Sequence, residues 1–179
     1  DGRTTTIGRN GSDYSAAIIA GALNADAIEI WTDVDGVLSA DPRAVCSAFV
    51  LPSLSYEEAM EMSYFGASVL HSATIAPAVA KSIPIVIKNT LNPTAAGTIV
   101  SAKVSNWVGA AKGISSIDNI TLLTLRGLSM VGVPGTAHRL FGCLAASKVN
   151  VILISQASSE HTICFAVSAL DSARARKAI

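Results

Sequence analysis

Aromatic side chains are few in these 179 residues: four Phe, three Tyr and two Trp. Ala, Val, Ile and Leu must therefore fill the core, and small aliphatics in alternating segments are typical of α/β architecture. Charge is scarce too, at 15%, and thirteen basic residues cancel thirteen acidic ones. No field of one sign is available to draw a nucleic acid or an anionic membrane, and neither partner is expected. The longer apolar runs, such as Ala16 to Leu23 and Ile83 to Ile87, fall far short of the ~18 residues of a membrane span. No stretch reads as a secretory leader. Cys46, Cys143 and Cys164 are an odd number in apolar contexts, and His71, His138 and His161 are equally scattered. No metal site is expected from them, and the thiols are expected to be reduced and buried. What is present in quantity is apolar material, half of all residues. That excludes a disordered chain.

The pattern along the chain is strand and helix in alternation. Thr4 to Ile7 favours a strand, and Gly8 to Asp13 a turn from which Ser12 or Asp13 caps a helix through Leu23. Ala27 to Thr32 reads as a buried strand, followed by a polar loop from Asp33 to Arg43 holding Gly36 and Pro42. Ser55-Tyr56-Glu57-Glu58 has capping-box spacing and predicts a helix start. A further helix is predicted from His71 to Ser82, with Pro77 kinking it or marking its first turn. Strands follow at Ile83 to Lys88 and Gly97 to Ser101. Beyond residue 103 the pattern becomes strand (Asn119 to Arg126), glycine loop, amphipathic helix (Thr136 to Lys148), strand (Asn150 to Ser155), strand (His161 to Ser168) and a helix capped by Asp171. That is a ferredoxin-like βαββαβ unit short of its last strand. The expected domains are 1–103 and 104–179.

Three places could carry chemistry. In Gly8-Arg9-Asn10-Gly11-Ser12-Asp13, glycines permit close backbone approach, and a helix N-terminus favours an anion. Arg9 can fork onto a carboxylate or phosphate. Asp13 has a place there only beside a cation, an ammonium group or a moving proton. In Trp31 to Val37 and Asp41-Pro42-Arg43, acids at the carboxyl end of a buried strand sit where open α/β sheets bind ligands. Asp33 would meet sugar or base donors, and Arg43 a phosphate. In Gly127 to Gly135 together with Ile154 to Ser159, loop amides and the Gln156 side chain could hold a small amino acid. Residue types alone leave a capped helix, an Asp-rich turn and a structural glycine loop equally open at these places. P-loop, dinucleotide and nucleophile-elbow fingerprints are absent.

These segments occur together, in order, with Met62-Ser63-Tyr64-Phe65-Gly66-Ala67, Ile87-Lys88-Asn89-Thr90, Gly135-Thr136-Ala137 and Val151 to Glu160. The set resembles the aspartokinase family, most closely its form fused to homoserine dehydrogenase, over nearly the whole chain. The resemblance implies an α/β fold: the C-terminal part of an amino-acid-kinase (carbamate-kinase-like) αβα sandwich, then an incomplete ferredoxin-like ACT domain. It implies transfer of the ATP γ-phosphoryl group, with Mg2+ bound through the phosphates, to the side-chain carboxylate of L-aspartate. Arg9 would clamp the substrate carboxylate, with Ser12 and Asp13 positioning substrate. Thr32 and Asp33 match the adenosine-binding pair, Arg43 a phosphate contact, and Leu38, Ser68 and Val69 further nucleotide-binding positions. Met130, Val133, Thr136, Ala137, Ile152 and Gln156 match the pocket for an end-product amino acid, threonine being usual in fused forms. Pairing through ACT units into a homo-oligomer, in a cytoplasmic or plastid compartment, is also implied.

Three departures qualify the match. The family's Lys-Phe-Gly-Gly-type phosphate motif is not in these residues. Leu38 stands where Tyr is common, and Ser68 where Lys is frequent, which removes a point charge near the nucleotide. The chain alone is therefore expected to be inactive. The other reading is a non-enzymatic amino-acid sensor in which only the ACT unit works.

Overall fold

In the computed structural model, the described residues are 2, 11–64, 70, 72–103, 107–109, 111–127, 132–156 and 161–179. They fall into two compact units, Asp1–Ser116 and Ile117–Ile179.

In the first unit, helix α1 (Gly11–Leu23) leads into strand β1 (Ile28–Thr32). A short strand β2 (Ser53–Ser55) runs into α2 (Tyr56–Tyr64), and α3 (Ser72–Lys81) precedes β3 (Ile85–Asn89) and β4 (Thr98–Ser101). The sheet order is β1-β3-β4-β2, with β1 parallel to β3, β3 antiparallel to β4, and β4 parallel to β2. Alternation in β3 buries Ile85, Ile87 and Asn89 on the helix side, where Ile28, Ile30 and Val100 join Ala17, Ala59, Ile75 and Ala78 from the helices. Trp31 and Ile99 point to the opposite face and stay exposed.

Local expectations hold with adjustments. The Ser55 capping box forms: Ser55 N–H donates to Glu58 Oε2 at 2.8 Å, and Glu58 N–H donates to Ser55 Oγ at 2.9 Å. Helix α1 already begins at Gly11, so Ser12 and Asp13 lie in its first turn rather than capping it. Ser12 donates to its neighbour Asp13 instead. Pro77 is inside α3, past the first turn. The three-residue β2 escapes a periodicity reading because it is too short to show alternation. Cys46 and Cys143 are exposed and Cys164 half-buried, contrary to the expectation of buried thiols. The units divide at 116/117 rather than 103/104, because Lys112 and Ile114 bond back onto Glu58 and Ser39 of the first unit.

Two glycines and one threonine fix the loop after β1. Gly36 has φ 147°, and a Cβ there would lie 2.5 Å from Thr98 Oγ1. Gly97 has φ 80°, and its Cβ would meet the Ile87 carbonyl oxygen at 2.2 Å. Thr98 is wholly buried. Its hydroxyl accepts from Val37 N–H at 2.8 Å and donates to the Leu51 carbonyl at 2.7 Å.

The second unit holds β5 (Ile120–Arg126), α4 (Thr136–Ala146), β6 (Val151–Gln156), β7 (Thr162–Ser168), a 3-10 turn (Ala169–Asp171) and α5 (Ser172–Ala178). Sheet order β5-β7-β6, all antiparallel, is the βαββα arrangement expected. Leu140 and Leu144 of α4 pack with Ile163, Phe165, Val167 and Ala175. Asp171 precedes α5 but makes no side-chain cap. Ser168 Oγ caps the 3-10 turn before it, accepting from Leu170 N–H.

Replacing Thr98 by Val should orphan the buried Val37 N–H and Leu51 carbonyl and cost about 1–3 kcal/mol. Thr98→Ser, which keeps the hydroxyl, should cost less. Urea unfolding of the three proteins checks the order.

Candidate functional site

The carboxyl ends of parallel β1 and β3 lie side by side, joined by Thr90 N–H donating to the Thr32 carbonyl at 2.8 Å. In open α/β sheets this is where ligands bind. Thr32 Oγ1 donates to Asp33 Oδ1 at 3.1 Å, and Asp33 is exposed at the strand end. Two residues on, the chain is fastened. Asp35 Oδ1 accepts from Asn89 Nδ2 at 2.7 Å and from Asn92 Nδ2 at 3.1 Å. Asn89 uses its own oxygen on Leu91 N–H at 2.8 Å. The carboxylate thus ties the loop after β1 to the loop after β3.

Leu38 continues the loop through an antiparallel bridge to Val50, flanked by Leu51 N–H to the Val37 carbonyl and Ser39 N–H to the Phe49 carbonyl, each 2.8 Å. At the hairpin tip Arg43 grips Asp41 with both Nε and Nη2, the latter at 2.7 Å from Oδ2. Hydrogen bonds from the Arg43 guanidinium and backbone N–H hold the Asp41 carboxyl below its usual range. The guanidinium is presented to solvent, with its side chain 88% exposed. A phosphate approaching Arg43 would share it with Asp41.

Thr32, Asp33, Leu38 and Arg43 therefore lie along one loop rooted at the β1–β3 end. Ser12 and Asp13 lie in the first turn of α1. Arg9, Ser68, Val69 and Met130 lie outside the described residues. Sequence reading assigned no role to Asp35, Asn89, Asn92 or Thr98. Asp35 and Asn89 stand inside motifs quoted for the resemblance, and an acid-and-amide pair at the ends of neighbouring strands was the available signal. Lys88, from the same motif, sits with Nζ 5.4 Å from the Trp31 ring centroid on the sheet's outer face.

In the second unit a cavity of about 320 Å³ is lined by Val133, Pro134, Thr136, Ala137, Gln156 and Ile163, with Gly132 and Gly135 supplying backbone. Both glycines have positive φ, 69° and 83°. Gly135 sits at the N-cap of α4, so the free N–H groups of that helix open near the cavity. Thr136 Oγ1 donates to the Val133 carbonyl at 3.2 Å. None of the described lining side chains is charged. Of the expected effector positions, Val133, Thr136, Ala137 and Gln156 come together here. Ile152 is not among the described residues that line it, and falls at the register shift between Val151 and Leu153.

Known proteins match both units. The amino acid kinase family model matches residues 1–89, and an ACT domain model matches residues 123–179. Bifunctional aspartokinase/homoserine dehydrogenase 2, chloroplastic, of Arabidopsis thaliana is 53% identical over 168 residues, covering 91% of this chain and 18% of that protein. E. coli aspartokinase III in complex with aspartate and ADP (R-state) superimposes with TM-score 0.78 at 42% identity, over 93% of this chain and 36% of that one. The same enzyme in complex with lysine and aspartate (T-state) gives 0.71 at 39%, over 93% and 37%. The chain spans about a fifth of the length of the curated bifunctional relatives it matches.

Asn89→Ala should remove the closer donor to Asp35 and leave Leu91 N–H without its acceptor, at a cost of about 1–3 kcal/mol. Hydrogen exchange at residues 33–37 and 90–92 should rise more than elsewhere in the unit.

Proposed function

The chain belongs to the aspartokinase family, and on that premise we propose that it supplies the nucleotide-binding loop and part of the aspartate site of an aspartate kinase. The ACT unit is proposed to sense an end-product amino acid. The arrangement that carries the reading is the loop from Thr32 to Arg43. It is rooted where β1 and β3 end, anchored by Asp35 and Thr98, and turns Asp33 and Arg43 outward.

A nucleotide fits this donor set. The exposed Asp33 carboxylate can accept from ribose or base N–H and O–H groups, and Arg43 can fork onto phosphate oxygens. Leu38 offers an apolar contact where a ring would stack on the family's Tyr. Mg2+ would be held through the phosphates and would neutralise charge on them when bound. Asp13, in the first turn of α1 with Ser12, would position the substrate. Phosphoryl transfer asks for little more than such positioning and charge neutralisation. The family's lysine-glycine phosphate motif is not among these residues. Turnover is accordingly proposed for the longer protein, and binding for this chain.

The cavity at α4 suits a small neutral amino acid. Helix N–H groups favour its carboxylate, Gln156 can bond its polar atoms, and the described lining side chains are uncharged. Pairing of ACT units is proposed through the β5-β7-β6 sheet, whose outer residues Ile120, Leu122 and Leu153 are exposed. No described helix is long and apolar enough to cross a membrane, and a cytoplasmic or plastid location is proposed.

Calorimetry with ADP and Mg2+ should give a binding heat, and Asp33→Ala should weaken it about tenfold or more, as loss of a charged hydrogen bond does. Aspartate-dependent ADP release by the isolated chain would refute the proposed division between binding and turnover. Among threonine, methionine and lysine, threonine should bind the cavity, and Gln156→Ala should weaken it by about 3–10-fold. Heat from the amino acid with none from ADP would replace the kinase reading with that of a sensor.

A further inference from the structure

Residues Trp107 and 111–114 touch the nucleotide loop and α2. Ile114 N–H donates to the Ser39 carbonyl at 2.8 Å. Ser39 immediately follows Leu38, and its N–H is already bonded to Phe49 across the hairpin. Ser39 is therefore the middle of three adjacent backbones. Two residues earlier, Lys112 Nζ reaches Glu58 Oε2 at 2.8 Å, with only 12% of the lysine side chain exposed. That same carboxylate oxygen caps α2 at Ser55. Between these two fasteners, Gly113 lies flat. A Cβ on it would stand 3.1 Å from Met62 Cε and 3.2 Å from the Ser39 carbonyl. On the far limb of the hairpin Trp107 stacks on Phe49, centroids 6.4 Å apart and planes 12° from parallel. Its indole N–H donates to the Ala111 carbonyl at 3.1 Å, which ties the stack to the same segment.

We propose that this segment is a strap that holds the nucleotide loop in its binding geometry, with Lys112 and Gly113 as its positioning residues. The hairpin 38–50 projects between its two limbs, and its described backbone bonds are few. The strap supplies a second anchored edge at Ser39, an aromatic lid at Phe49 and a fixed point on α2. Neither Lys112 nor Gly113 belongs to the proposed nucleotide contacts, so both act only through the loop. The strap continues at Ile117 into the unit that contains the amino-acid cavity. By linkage, nucleotide on the loop must in turn steady the strap.

The proposal rests on the nucleotide reading of the loop, and two measurements keep them separable. Hydrogen exchange without ligand should accelerate about tenfold at residues 37–51 in Lys112→Met and Gly113→Val, with the global unfolding midpoint little changed. Lys112→Arg should restore slow exchange. The Kd for ADP with Mg2+ should rise about tenfold in both variants and recover in Lys112→Arg. Should Gly113→Val fail to fold, Lys112→Met and its arginine rescue carry the test. Unchanged loop exchange in Lys112→Met overturns the strap. Faster exchange with unchanged ADP affinity overturns its role in binding. No ADP binding by the unsubstituted chain overturns the nucleotide reading, and the exchange data then still decide whether the strap holds the loop.

Discussion

One buried hydroxyl organises the first unit. Thr98 Oγ accepts from Val37 and donates to Leu51, closing both limbs of the loop that leaves β1 onto the first residue of β4. Each bond is worth only about 0.5–1.5 kcal/mol net, but either group left unpaired at this depth costs more than its bond contributes. The hydroxyl can reach Val37 only because residue 36 has no side chain. The loop's outward residues inherit their position from that contact. Asp33 precedes the anchored stretch, and Leu38 and Arg43 follow it.

A second constraint works in the same direction. Asp35 is one carboxylate shared by two amides, so the loops after β1 and β3 cannot separate without leaving an anion unpaired. Asn89 is nearly buried, which makes the pairing compulsory rather than incidental. Arg43 and Asp41 form the contrasting case: a pair in open solvent, which holds its geometry through bidentate hydrogen bonding more than through Coulomb energy. The loop is thus rigid at its root and polar at its tip, as suits a surface that must be preorganised yet meet a hydrated ligand.

Much of this was legible in residues. The capping box at Ser55, strands β3 to β7 and helix α4 follow from spacing, turn residues and alternation. The ladder β5-β7-β6 and its α4 cover make the βαββα order visible in the sequence alone. The loop's polar tip could be read as well, because Asp33 and Arg43 are conspicuous beside a strand of Ile and Trp. Its supports could not. Thr98 looks like any β-branched strand residue until the backbone it serves is in place, and β2 is too short to alternate. Asn89 reads as a strand end, and nothing local shows that its partner lies 54 residues earlier. The register shift at Ile152 is likewise invisible in one strand's sequence. Long-range partners set what periodicity leaves free.

The seating of Lys112 and Ile114 has a consequence for how such chains can be recombined. Composition places a natural cut near residue 103, where the sheet ends. A transplant of the second unit made there would carry the strap away with it, leaving Ser39, Phe49 and Glu58 facing a stranger's sequence. A cut after Ser116 leaves the host's own closure intact. The transferable unit is therefore longer than the sheet: it includes the connector. A graft that respects it exchanges the second unit without rewriting the loop.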